Sequence, residues 1–74
     1  MFTIQVFYKN TGKPAKSQRV SCSLGGFFGG VTKEQYTNEN GEAHFDYDPK
    51  SGEVYVNGKT SFKGNISGRV VIYV

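Results

Sequence analysis

The chain is 74 residues long, below the ~100–200 residues usual for one domain, so a separate catalytic and regulatory half is excluded. Hydrophobic residues at 36%, aromatics at 15% and charged residues at 20% make a globular composition and exclude a disordered one. Net charge is +3, and the longest apolar run, residues 70–74, falls far short of the ~20 residues a membrane-spanning helix needs.

The pattern at the start of the chain is period two. Phe2, Ile4, Val6 and Tyr8 fall on one face and Thr3, Gln5 and Lys9 on the other, which predicts a strand over residues 2–9 with one buried side. Asn10, Thr11, Gly12, Lys13 and Pro14 end it with turn chemistry. Residues 19–24 resume the alternation, with Val20, Cys22 and Leu24 inward. Residues 25–30, Gly-Gly-Phe-Phe-Gly-Gly, interrupt it. A polar strand is expected over residues 31–37, at a sheet edge because Lys33, Glu34 and Gln35 are consecutive.

Asn40 and Gly41 form a turn pair suited to positive φ. Ala43, Phe45 and Tyr47 point inward from the next strand, with Glu42, His44 and Asp46 outward. After a turn at residues 48–52, Val54 and Val56 define a strand, Asn57-Gly58 a hairpin turn, and Thr60 and Phe62 the returning strand. A loop is expected at residues 64–68, and Val70, Ile72 and Val74 close the chain as an integral apolar strand whose removal would unfold the domain. Seven short strands with no helical periodicity predict an all-β fold. The expected form is one small antiparallel β-sandwich over residues 1–74, with a small β-barrel as the alternative.

Two further stretches carry a resemblance. Residues 37–45, Thr-Asn-Glu-Asn-Gly-Glu-Ala-His-Phe, and residues 52–59, Gly-Glu-Val-Tyr-Val-Asn-Gly-Lys, resemble the carboxypeptidase regulatory-like, or prealbumin-like, β-sandwich domains. Gly12-Lys13-Pro14 is similar to the turn after that family's first strand. The same pattern recurs in immunoglobulin-like and transthyretin-like modules. The resemblance implies a seven-stranded sandwich used for binding, bridging or stabilising, without catalysis by the module itself.

Cys22 is the single cysteine, so no intramolecular disulfide forms; this tilts the expectation toward a reducing, cytoplasmic setting, as does the lack of a basic and then apolar leader at the start. Its alternation with Val20 and Leu24 makes it a small buried hydrophobe. His44 shares a strand face with Glu42 and Asp46, but a metal needs three or four converging ligands, which one strand does not supply; no metal and no cofactor are expected. No nucleophile turn of the G-x-S-x-G kind occurs, and Glu42, Asp46, Asp48 and Glu53 read as surface charges, so the chain is not expected to be an enzyme. Residues 25–30 do not lead into a helix, which excludes a phosphate-binding loop. Asn65-Ile66-Ser67 fits a glycosylation acceptor by chance.

The functional expectation is a binding module. Phe27 and Phe28, flanked by Gly26 and Gly29, are expected to anchor a protein partner, or a second copy of the chain, or else to cap the sandwich end. The basic residues Lys13, Lys16 and Arg19 are expected to support that contact. Residues 1–33 carry five basic residues and no acid, giving +5, against −2 for the remainder. That asymmetry keeps nucleic acid as the alternative partner. Phe7, Tyr55 and Tyr73 point away from the core and, if their strands are neighbours, form a stacking surface for bases or for a carbohydrate.

Overall fold

The computed structural model describes residues 1–25, 30–48 and 50–74, Lys50 by its backbone alone. Seven strands form two sheets: β1 (Phe2–Phe7), β2 (Arg19–Leu24), β3 (Gln35–Tyr36), β4 (Glu42–Phe45), β5 (Lys50–Val56), β6 (Lys59–Ile66) and β7 (Gly68–Tyr73). Sheet A has the order β4-β1-β7 and sheet B the order β3-β2-β5-β6. The expected all-β sandwich is present. Alternation decides the core: Phe2, Ile4 and Val6, Ala43 and Phe45, and Val70 and Ile72 descend from sheet A. They meet Val20, Cys22 and Leu24, Val54 and Val56, and Ile66 from sheet B. The Phe2 and Phe45 rings, on register partners, stack at 5.2 Å between centroids.

One pairing departs from the antiparallel expectation. β1 and β7 run parallel, Phe2 beside Gly68 through Phe7 beside Tyr73. The pairing continues past the strands, since Val74 N–H donates to the Phe7 carbonyl and Lys9 N–H to the Val74 carbonyl.

Several boundaries also move. β1 stops at Phe7 because Tyr8 N–H turns to the Lys13 carbonyl at 2.8 Å, leaving Tyr8 exposed where the alternation put it inside. The strand expected over residues 31–37 is reduced to Gln35–Tyr36 and a lone bridge from Val31 to Ser23. It does lie at a sheet edge. Buried Thr37 pins the preceding turn, accepting from Gln18 N–H and donating to the Ala15 carbonyl at 2.6 Å. β4 ends at Phe45, and Tyr47 is exposed.

A further boundary difference is β6, which continues to Ile66 through the expected loop. Gly64 sits directly opposite Gly52 with φ 148, a backbone that favours glycine, so a residue that reads as a loop signal lies inside a strand. A bulge at Ser61 shifts the register there: Thr60 pairs with Tyr55 and Phe62 with Val54. Thr60 therefore faces solvent while Phe62 packs on the core, although simple alternation puts both on one side. The Asn57-Gly58 turn forms as expected, with φ of 53 and 82.

Candidate functional site

The outer face of sheet A combines two kinds of surface. Alternation sends Thr3, Gln5 and Phe7 outward from β1, and the two ladders set their neighbours. Thr3 lies between His44 and Arg69, Gln5 between Glu42 and Val71, and Phe7 beside Tyr73. Apart from Val71, the first two rows are polar, and their side chains bond one another. The Arg69 guanidinium reaches across β1, donating to Gln5 Oε1 at 2.9 Å and to Glu42 Oε2 at 2.6 Å. Arg69 beside Glu42 holds that carboxyl below its ordinary value. Thr3 Oγ1 and His44 Nδ1 lie 2.9 Å apart. His44 Nε2 is 3.9 Å from Glu42 Oε1.

The remaining row is apolar. Phe7 and Tyr73 stack at 5.7 Å between centroids with their planes 27° apart. Tyr73 is 59% exposed and Val71, one row away on the same face, 43%. This end of β7 is also a sheet edge. Val70, Ile72 and Val74 turn their backbone groups toward β1, since Val74 bonds Phe7 and Lys9 and the parallel ladder alternates. The N–H and C=O groups of Arg69, Val71 and Tyr73 therefore point outward, and among the described residues no strand pairs with that side of β7.

The three residues expected to form a stacking surface do not all come together. Tyr55 belongs to sheet B, where its hydroxyl donates to Glu53 Oε2 at 2.8 Å. That bond raises the tyrosine pKa. Phe7 and Tyr73 meet, but Tyr55 does not join them, because β5 and the β1–β7 pair lie in opposite sheets. Gly26, Phe27, Phe28 and Gly29 lie outside the described residues. Their flanks are tied down: Leu24 N–H donates to the Gly30 carbonyl at 3.0 Å and Gly25 N–H to the Ser51 carbonyl at 2.7 Å.

Lys13, Lys16 and Arg19 sit at the other end of the sandwich. Arg19 opens β2 while Gly25 follows its last residue, about 16 Å away by strand rise. The three basic residues therefore lie far from Gly25, and Arg19 is paired with Glu34 at 3.1 Å. Cys22 is buried as expected, and burial pushes its thiol up to about 12. Among the described residues no three His, Cys, Asp or Glu side chains converge to hold a metal.

Sequence reasoning missed Val71 and the open side of β7. The signal was the uninterrupted apolar run of residues 70–74, in which every second residue has to face away from the core. The chain matches no protein-family model, and no curated protein or solved structure matches it.

Proposed function

We propose that the protein is a non-catalytic module that works by binding another protein. The observation that supports this reading is the stack of half-buried Phe7 on exposed Tyr73, beside exposed Val71 on a strand surface. Aromatic side chains dominate interface energetics, and two rings already held together have less freedom to lose on binding. The kinship with prealbumin-like and immunoglobulin-like sandwiches suggested by residues 37–45 and 52–59 is part of the same proposal and implies the same kind of role. Phe27 and Phe28 remain a second proposed contact for such a partner.

The test uses three baits in host lysate: wild type, Tyr73→Ser, and the Phe27→Ser/Phe28→Ser double variant, each with the wild-type circular dichroism spectrum. A protein recovered by wild type, lost with Tyr73→Ser and shown to bind the purified chain supports the sheet A contact. Loss only with the double variant moves the contact to the loop. Equal recovery by all three baits refutes both surfaces.

A second reading is favoured by one observation. Lys9, Lys13, Lys16, Arg19 and Lys59 gather at one end of the sandwich, through loops joined to the end of β1 and to the Asn57-Gly58 turn. That end would attract nucleic acid through its phosphates.

A further inference from the structure

A sandwich has four sheet edges, and three of these are protected. β3 is two residues long. β4 has four, with Glu42 and His44 on its outer face. β6 carries Lys59 and Lys63 and the bulge at Ser61. Short strands, lysines and bulges are the usual devices that stop an edge from pairing with another chain. β7 has none of them. It is six residues long, continuous with β1 throughout, and holds one charge, Arg69. That charge does not guard the edge, because the guanidinium leans back across β1 onto Glu42.

We propose that two copies of the chain pair through this edge, β7 against β7 in antiparallel fashion, with Val71 opposite Val71 of the second copy. The proposal rests on the reading of this face as a protein contact and names the partner. Three features of β7 select that register. First, a one-residue slip would set an inward side chain against an outward one, so residue numbers of opposed partners must share parity. Second, the groups facing outward belong to Arg69, Val71 and Tyr73. Pairing 71 with 71 and 69 with 73 makes all three hydrogen-bonded positions, about six backbone bonds in all. A two-residue shift either way leaves an end position without a partner in β7.

Third, the side chains are complementary. Arg69 of one copy meets Tyr73 of the other: its aliphatic stem lies against the ring face turned away from Phe7, while its guanidinium stays on Glu42. Valine meets valine between the two such pairs, and no like charges oppose one another. Val70 faces Ile72 on the core side. Since β6 is guarded by its lysines, only sheet A becomes continuous, as β4-β1-β7-β7-β1-β4. One strand pair lies below the ~1,200 Å² of a standard interface, so a dissociation constant in the range of tens to hundreds of micromolar is expected.

The experiment is sedimentation equilibrium on the full chain from roughly 10 μM to 1 mM. Wild type should pass from monomer to dimer, and Val71→Lys should stay monomeric with an unchanged melting temperature, because it opposes two like charges at the symmetry axis. Register is read by cysteine cross-linking. Val71→Cys should oxidise to a dimer, since opposed hydrogen-bonded residues lie ~5.5 Å apart at Cα, within the reach of a disulfide. Tyr73→Cys should not, as the two copies of that position lie roughly 13 Å apart. Buried Cys22 gives the background in both. A monomeric wild type at the highest concentration, or a Val71→Lys protein that still dimerises, overturns the proposal. Cross-linking of Tyr73→Cys as fast as Val71→Cys overturns the register. A monomer that nevertheless loses a lysate partner on Tyr73→Ser would sink this inference while leaving the protein-binding reading intact.

Discussion

Glycine does three different things in this chain, and only one of them is to make a turn. Gly41 has φ 76, and a Cβ there would also collide with the Val6 carbonyl. Gly52 needs no special φ; its place in β5 is such that a Cβ on it would collide with the Ser23 carbonyl, so the backbone itself occupies the space a side chain would need. Among the described residues nothing lies within 4 Å of the Cβ position of Gly30. Substitution should separate them. Gly52→Ala must push β5 from β2 and is expected to cost at least ~2 kcal/mol. Gly30→Ala should stay within ~0.5 kcal/mol of wild type. Urea unfolding of both variants measures this, and a Gly52→Ala protein as stable as wild type would mean that β2 and β5 are not so closely apposed.

At the scale of elements, the outer face of sheet A ties three strands together by one side chain. Arg69 on β7 crosses β1 to reach Glu42 on β4 and lowers that carboxyl's pKa, chiefly through the guanidinium hydrogen bond. A carboxylate whose folded pKa is lowered binds its proton more weakly folded than unfolded. Its contribution is therefore complete above the ordinary value of 4.5 and is lost as pH falls below that toward the lowered value. Glu42→Gln should be less stable than wild type at neutral pH, and the gap should close on acidification below 4.5. Melting temperatures of both proteins between about pH 7 and 3 test it; a gap that does not change with pH would remove the charge from the explanation. Element existence was legible in the sequence where period two holds, as in β1, β2, β4 and β7. It was obscured in β6, where Gly64 imitates a loop and the Ser61 bulge breaks the alternation. Strand direction was not legible at all: alternation reads the same either way, so nothing local distinguishes a parallel β1–β7 pair from an antiparallel one. The site was half legible for the same reason, since Phe7 and Tyr73 can be called outward from their own strands but become partners only once β1 and β7 are neighbours.

Over the whole molecule, the charge asymmetry of the sequence becomes an asymmetry between ends. Lys9, Lys13, Lys16 and Lys59 stand around the end of β1 and the Asn57-Gly58 turn, and among the described residues none has a carboxylate within ion-pair distance. Arg19 at the same end is occupied by Glu34. Asp46 and Asp48 follow β4 at the opposite end. A field of this shape attracts any polyanion, so binding to nucleic acid at low salt would not by itself establish a function. The salt dependence does discriminate. With four lysines available, a duplex contact has a log–log slope of at most about −3.6, a loss of roughly 100-fold between 50 and 200 mM salt. A titration of fluorescent duplex DNA over that range, repeated with Lys13→Gln/Lys16→Gln, reads both numbers. If this end is a nucleic-acid surface, the double variant should reduce the slope by about 1.8 and weaken binding at every salt concentration. A slope unchanged by the two substitutions would place any phosphate contact elsewhere. A protein contact through Phe7, Val71 and Tyr73 should respond far less to salt, because its surface is apolar and the neighbouring Arg69 is already paired with Glu42.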